Sequence, residues 1–378
     1  MPDVVIYADT LRSPELRHEL PLAIGDPFLY CEHDGVRHVV VSVLEGPRVQ
    51  ELGGYEVHLL EEYGLDELRR SGRKRDEIHD ELALRALRSL GIERASVPGS
   101  FPVSLADYLR GNGIELLPDR KLFDQRRRVK SAAELAGIRR AQRAAEAGMA
   151  AGRDLLREAR GEGELTVGGK PLTSELLKSA ISRAFTENGA SADDFIVSHG
   201  AQAAIGHHLG SGPIRAGETI VIDLWPRDNE SACFADMTRT FVVGDIADEV
   251  REWHRLCGVA LDRALADIHV GVTPRAVYDV TADLFEEAGF TTQRTKTPGE
   301  VPQGGFLYAL GHGVGLDVHE EPLLGILGHD DELLEGDVLA VEPDLHRKDF
   351  GGVRLEDLVL VTANGAEKIT DFPYELEP

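Results

Sequence analysis

The sequence GHGVGLDVHEEP, residues 311–322, places His312 and His319 seven residues apart in a glycine-containing segment. Glycine permits backbone conformations that bring the main chain close to a ligand. Imidazole nitrogen is a metal ligand, a proton carrier and a hydrogen-bond partner. This segment is therefore a candidate site that other polar groups could join.

Acidic residues interrupt apolar, strand-like runs elsewhere in the same half of the chain. They are Asp223 in IVIDLW, Asp236 in CFADMTRT, Glu342 in VLAVEP and Glu356 in VRLEDLVLV. A carboxylate is costly to bury unless it is paired, protonated or bound to a metal. The recurrence of this pattern indicates a common cause.

Carboxylates together with an imidazole match the ligands of a pair of divalent ions, because bridging carboxylates neutralise the charge of both metals. Each residue also has a structural interpretation when taken alone. A strand Asp is often an edge or turn residue, Glu356 could pair with Arg354 on a surface, and His207 could belong to a simple loop.

Composition excludes several classes of partner. The chain has 378 residues with 41 Lys+Arg and 66 Asp+Glu, a formal charge of −25. This acidic excess disfavours binding to nucleic acid and to membrane surfaces.

The start of the chain does not resemble a secretory signal, so we expect a cytoplasmic protein. Cys31, Cys233 and Cys257 are too widely spaced for a CxxC site, and we expect buried, inert thiols.

The length favours two domains. Strand-like and helical runs alternate up to about residue 117, which predicts an α/β domain over 1–125. No metal cluster is visible there, and we expect an architectural role in oligomerisation or access. The charged stretch at 118–129 predicts the boundary, and its Arg126-Arg127-Arg128 run is typical of a solvated face or a salt-bridge row, with an anion site as the alternative.

Residues 126–378 predict a second domain that mixes helices and strands. Ser131 and Glu134 form a capping-box pattern, which predicts a long helix ending near Gly161. Thr273-Pro274 marks another helix start. Along the chain, the predicted elements follow the order helix pair, strands, helix pair, strands. This order indicates an α+β fold of two similar halves.

The blocks ADMTRTF, GHGVGLDVHEEP, VEP and GVRLED resemble the signature motifs of the creatinase/prolidase-like metallopeptidases. The resemblance covers roughly residues 125–375. It implies the pita-bread fold of this family, preceded by the smaller α/β domain found in its Xaa-Pro dipeptidase and aminopeptidase P branch.

The resemblance also implies roles for particular residues. The expected metal ligands are Asp223, Asp236, His312, Glu342 and Glu356, with Asp236 and Glu356 bridging both ions. The expected catalytic residues are His207, His319, Glu342 and Arg354. Two divalent ions per chain are implied, with Mn²⁺ favoured by the oxygen and nitrogen ligands and Co²⁺, Fe²⁺ or Zn²⁺ as alternatives.

The function implied is a dinuclear metallopeptidase that cleaves short peptides at Xaa-Pro bonds, by attack of a metal-bridging hydroxide on the scissile carbonyl. Glu342 would carry a proton to the leaving nitrogen, and the two histidines would orient the peptide and stabilise the oxyanion. A homodimer is implied by the same resemblance.

Three departures from the family pattern bear on specificity. The spacing of Asp223 and Asp236 is slightly long, Leu224-Trp225 follows Asp223 where a glycine is common, and Tyr308 stands where many Xaa-Pro enzymes have a histidine. Dipeptidase and aminopeptidase activity both stay open. The alternatives are a metal-dependent hydrolase or lyase of a small non-peptide compound and, less favoured, a non-catalytic binding protein.

Overall fold

The chain divides between Arg127 and Arg128 into two units. The computed structural model describes residues 3–328 and 331–378. Each unit contains sheets and helices with its own buried apolar side chains. The mixture of helices and sheets confirms the predicted α+β class.

The first unit is built on one mixed sheet with the strand order β4-β3-β2-β1-β5-β6. Its strands are β1 (Val4–Ala8), β2 (Phe28–His33), β3 (Val36–Val41), β4 (Glu56–Leu59), β5 (Arg94–Val97) and β6 (Glu115–Pro118). Its helices are α1 (Pro14–Glu19), α2 (Gly46–Leu52), α3 (Leu65–Arg70), α4 (Arg75–Ser89), α5 (Val103–Gly111) and α6 (Arg120–Arg128). Strand β4 lies at one edge and pairs in parallel with β3.

The boundary stretch predicted at 118–129 contains helix α6. The Asp119 carboxylate accepts a hydrogen bond from the Leu122 N–H at 3.0 Å, which caps its first turn. Of the two structures expected for the arginine run, a solvated face or a salt-bridge row, ion pairs form. Arg126 forms ion pairs of 2.5 Å with both Glu19 and Glu32.

The second unit contains two helix pairs and several short sheets. Its helices are α7 (Ala132–Glu158), α8 (Ser174–Glu187), α9 (Asp248–Asp267) and α10 (Pro274–Glu287). Its strands are β7 (Thr166–Val167), β8 (Lys170–Pro171), β9 (Ala190–Ser191), β10 (Ile196–His199), β11 (Thr219–Leu224), β12 (Arg227–Asp228), β13 (Met237–Val242), β14 (Gly304–Gly305), β15 (Gly311–Gly313), β16 (Glu320–Leu324), β17 (Val338–Val341), β18 (Asp344–Arg347), β19 (Gly351–Arg354), β20 (Asp357–Thr362) and β21 (Gly365–Lys368).

Local sequence signals set the helix starts. The Ser131 hydroxyl accepts a hydrogen bond from Glu134 N at 3.2 Å, and the Glu134 carboxylate accepts one from Ser131 N at 2.7 Å. The Thr273 hydroxyl caps α10 in the same way through Ala276 N. In both helices a side-chain oxygen satisfies N–H groups that have no partner within the helix. Both predicted caps are therefore confirmed.

The two helix pairs pack on different sheets. Apolar side chains of α7 and α8 form one core with the β10-β11-β13 sheet. Those of α9 and α10 form another with the β16-β15-β17-β20-β21 sheet. The predicted order of helix pairs and strands is confirmed, and the strand ends of both sheets carry the candidate site.

The cysteines behave as expected from their spacing. Cys31, Cys233 and Cys257 are free and buried. Burial raises the pKa of Cys233 to about 12 and also raises that of the other two. They are therefore poor nucleophiles at neutral pH. In the part of the chain that the structure describes, no helix is long and apolar enough to cross a membrane.

Candidate metal centre

The predicted acidic ligands come from both sheets of the second unit. Asp223 lies inside β11, but the other acids lie beside strands rather than within them. Asp236 precedes β13, Glu342 follows β17, and Glu356 separates β19 from β20. At a strand end the backbone leaves the ladder, so a polar side chain can turn towards a shared space without disrupting an apolar sheet face.

The structure brings these residues together around His312. Its Nε2 lies 3.7 Å from Asp236 Oδ2 and 3.6 Å from Glu342 Oε1. Ligand atoms of Asp236, His312 and Glu356 all lie within 4.8 Å of one another. Asp236, His312 and Glu356 are buried, with 4%, 5% and 1% of their surface exposed.

The carboxylates perturb one another strongly. Burial raises the pKa of Asp236 well above its usual value, and the charges of Glu356 and Asp223 raise it further. Burial likewise raises the pKa values of Asp223 and Glu356. Burial raises the pKa of Glu342 to about 7. The cluster thus holds more negative charge than its surroundings stabilise.

Arg354, at the end of β19, supplies a positive charge to this cluster. Its Nη1 donates a hydrogen bond of 2.7 Å to Asp223 Oδ2 and lies 3.7 Å from Glu342 Oε2. The surrounding carboxylates raise its pKa despite its burial. The surface cross-strand pair considered for Arg354 and Glu356 is therefore not what forms, because Arg354 turns towards Asp223.

The candidate histidines differ in environment. His312 Nδ1 lies 3.1 Å from the Gly313 carbonyl oxygen, which leaves Nε2 facing the carboxylates. Burial lowers the pKa of His312 to about 4, so its ring is neutral and able to bind a cation. His319 contacts it edge-on, with ring centroids 4.4 Å apart. His207 is exposed. Burial raises the pKa of Asp223, and the nearby His207 opposes part of that rise.

Asp236 Oδ1 is buried and has no hydrogen-bond partner among the described residues. An unsatisfied buried carboxylate oxygen is costly, and bound cations are a common reason for one. The oxygen and nitrogen donors here suit a divalent ion. The residues present therefore fit a metal.

Comparison with known proteins agrees with this geometry. The sequence pattern of metallopeptidase family M24 matches residues 136–363. The chain belongs to metallopeptidase family M24.

Named relatives support this membership. An Xaa-Pro dipeptidase of Pyrococcus horikoshii is 30% identical over 308 residues, 80% of this chain and 78% of the relative. An Xaa-Pro dipeptidase of Pyrococcus furiosus is 34% identical over 193 residues. That match covers 50% of this chain and 51% of the relative, so the chain spans about half the length of that protein.

The crystal structure of a prolidase from Pyrococcus horikoshii superposes with a TM-score of 0.78 at 23% identity, covering 100% of this chain and 95% of that one. The predicted resemblance and the pita-bread fold with its N-terminal domain are confirmed. Family M24 uses divalent metals, and the prediction of a metallopeptidase is confirmed at the level of the family. The roles of individual residues stay predictions.

Two residues that support the candidate metal centre were not predicted from the sequence. The Thr238 hydroxyl donates a hydrogen bond of 2.8 Å to Glu356 Oε2. The buried Arg239 guanidinium donates to the Glu356 carbonyl oxygen at 2.7 Å and to Asp357 Oδ1 at 2.9 Å. Both belong to the ADMTRTF block. Their position beside Asp236 was the available signal.

A buried ion pair supports the segment that carries His319. Lys130 Nζ lies 2.6 Å from Glu320 Oε2, and both side chains are almost fully buried. The other Glu320 oxygen accepts a hydrogen bond from Asp317 N at 3.1 Å. This pair therefore restrains the backbone on both sides of His319. It joins residues 190 positions apart, and no local pattern signals it.

Proposed function

We propose that this M24 protein is a dinuclear metallopeptidase that hydrolyses short peptides at Xaa-Pro bonds. The observation that carries the proposal is the buried cluster around Asp236, whose Oδ1 has no hydrogen-bond partner among the described residues. Carboxylates with raised pKa values surround it, and bound cations would allow them to ionise together.

We assign the metal ligands as the sequence implied, namely Asp223, Asp236, His312, Glu342 and Glu356. In this assignment Asp236 and Glu356 would each hold both ions. The donors are carboxylate oxygens and one imidazole nitrogen, which favours Mn²⁺, with Co²⁺, Fe²⁺ or Zn²⁺ as alternatives. The closeness of the ligand atoms of Asp236, His312 and Glu356, all within 4.8 Å, supports this assignment.

Divalent ions held by these residues would supply a water of lowered pKa as the nucleophile and a Lewis acid for the scissile carbonyl. The protein side chains do the remaining work. Glu342 would move a proton to the leaving nitrogen. Arg354 orients Asp223 through their 2.7 Å hydrogen bond.

His319 and His207 bind and orient the peptide. His319 contacts the His312 ring, which places it next to the ligand cluster. Hydrogen-bond donors fixed in advance near the reacting carbonyl stabilise the charge that develops on its oxygen.

The Xaa-Pro preference rests on two relatives named Xaa-Pro dipeptidase. Tyr308 occupies the place of a histidine common in such enzymes. It is 41% exposed and stacks on His346 with ring centroids 5.3 Å apart. A tyrosine hydroxyl can replace one hydrogen bond of a histidine but carries no positive charge at neutral pH. We therefore favour a dipeptidase whose recognition of the peptide differs where Tyr308 replaces that histidine.

We assign the catalytic role to residues 126–378 and an oligomerisation or access role to residues 1–125. A homodimer in the cytoplasm completes the proposal. Sedimentation of the purified protein measures the oligomeric state directly, and a monomer would contradict that part.

The central experiment combines metal content with substrate choice. Full-length protein is assayed on Xaa-Pro dipeptides, longer Xaa-Pro peptides and matched peptides without proline, and its metal is counted. We expect close to two ions per chain and cleavage of the dipeptides. Removal of one residue from longer peptides indicates an aminopeptidase, and inactivity on every peptide favours the non-peptide alternative.

Two variants separate the site from general damage. Asp236→Asn removes a proposed bridging ligand, and we expect it to lose both metal retention and turnover. Asp245→Asn changes an exposed acid of the same unit and should behave as wild type. Full activity in the Asp236→Asn protein, or in metal-free wild type, would refute the dinuclear mechanism.

A further inference from the structure

A second cluster of potential metal ligands lies in the first unit, where the sequence showed no metal motif. Its members are His38 on β3 and Glu56 and His58 on β4. In the parallel β3–β4 ladder, His38 pairs with Glu56 and Val40 pairs with His58. Residues two apart on a strand share a face, so the ladder places all three side chains on one side of the sheet.

The distances between these groups suit a single bound ion. His38 Nδ1 lies 3.2 Å from His58 Nε2 and 3.5 Å from Glu56 Oε2. Tetrahedral Zn²⁺ with bonds of about 2.0–2.2 Å holds its ligand atoms roughly 3.3–3.6 Å apart. An ion could therefore enter with small side-chain adjustments.

The surroundings also suit metal binding. His38 is only 7% exposed, and burial lowers its pKa, which keeps the ring neutral and its lone pair available. The Glu56 side chain is 62% exposed, so water can reach a fourth coordination position. This donor set of two imidazoles and one carboxylate is one that Zn²⁺ takes in proteins.

A neighbouring carboxylate supports the outer nitrogen of His58. Glu62 Oε2 lies 3.6 Å from His58 Nδ1, and Glu62 Oε1 accepts a hydrogen bond of 2.8 Å from Leu59 N. A carboxylate facing the second nitrogen of a ligating histidine fixes the ring and strengthens it as a ligand.

We propose that His38, Glu56 and His58 form a Zn²⁺-binding site in the first unit, additional to the M24 centre. The ion would tie β4, the edge strand, to β3. Because an ion that binds the folded protein shifts the equilibrium away from unfolding, it would stabilise this edge of the sheet. The proposal does not depend on peptidase activity.

The experiment compares zinc content between variants of the full-length protein. Each protein is stripped with a chelator, reloaded with Zn²⁺, desalted and analysed for zinc per chain. We expect His58→Gln and His38→Gln each to retain one ion fewer than wild type. The control His79→Gln, which changes another histidine of the same unit, should retain the wild-type amount. The difference between proteins is the readout, so it is independent of how many ions the M24 centre holds.

Two milder variants cover the case in which a histidine variant fails to fold. Glu56→Gln changes an exposed ligand, and Glu62→Gln changes the supporting carboxylate. Calorimetric titration with Zn²⁺ should show affinity at this site about 10–100-fold weaker in Glu62→Gln. Zinc should raise the melting temperature of wild type by more than that of either variant. If all four variants bind zinc in the amount and with the affinity of wild type, the proposal is wrong, and the contact between His38 and His58 is only a hydrogen bond.

Discussion

The Arg354 guanidinium donates a hydrogen bond of 2.7 Å to the Asp223 carboxylate, and the two side chains are 13% and 9% exposed. The pair joins strands β19 and β11, and the two residues are 131 positions apart in sequence. It puts one positive charge among acids whose pKa values are raised by burial. The cluster of buried carboxylates around His312 therefore depends on Arg354 for charge compensation.

Loss of this compensation should destabilise the metal-free protein. Arg354→Gln leaves a buried carboxylate without its partner, and breaking a buried pair costs about 3–5 kcal/mol. Urea unfolding of chelator-treated protein measures the change. Arg347→Gln is the control, because its pair with Glu249 is largely exposed and should contribute at most about 1 kcal/mol. Equal effects of the two substitutions would contradict the special role of Arg354.

The raised pKa of Glu342 predicts a pH dependence of stability in the metal-free protein. Burial raises this pKa from 4.5 to about 7. A raised carboxyl pKa gives stability that is fully present below the unfolded value and lost as the pH rises through about 7. The free energy of unfolding of Glu342→Gln should therefore gain on wild type between about pH 4.5 and 8, by up to about 3 kcal/mol.

Unfolding by urea across this pH range checks the Glu342 prediction. Histidines far from Glu342 are common to both proteins, so their contribution cancels in the difference. If the difference in free energy of unfolding between the two proteins stayed constant across this pH range, Glu342 would have an ordinary pKa.

Thr238 should act through the ligand that it contacts. Thr238→Val keeps the shape of the side chain but removes the hydroxyl that donates to Glu356 Oε2. Loss of such a supporting hydrogen bond typically weakens metal binding about 10–100-fold. Titration with Mn²⁺ measures the affinity. Thr362→Val, whose hydroxyl donates only to the Gly365 carbonyl among the contacts described, is the control and should bind as wild type.

Lys130 and Glu320 are distant in sequence but paired in the structure, so the effects of substituting them on the free energy of unfolding should depend on each other. Lys130→Met should lower the free energy of unfolding by about 3–5 kcal/mol, because Glu320 keeps a buried charge. Adding Glu320→Gln removes that charge and should restore part of the loss. A double variant as unstable as the sum of the single variants would show that the residues act independently. Lys178→Met, which breaks a more exposed pair, serves as control.

Local signals in the sequence determined the helix starts. Ser131 and Thr273 cap their helices as predicted, because capping involves groups within three residues of each other. The motif blocks also determined the M24 family and named the residues that gather around His312. Short-range chemistry and characteristic motifs are both readable without a structure.

Tertiary structure alone decided how these residues meet. Asp236, Glu342 and Glu356 lie at strand ends rather than inside strands, and the turn of Arg354 towards Asp223 follows from where two sheets come together. The Lys130–Glu320 pair and the His38–Glu56–His58 cluster depend on pairing between segments distant in sequence. The physical reason is that hydrogen-bond registers and sheet packing are set by the whole core, whereas a short sequence window contains only local preferences.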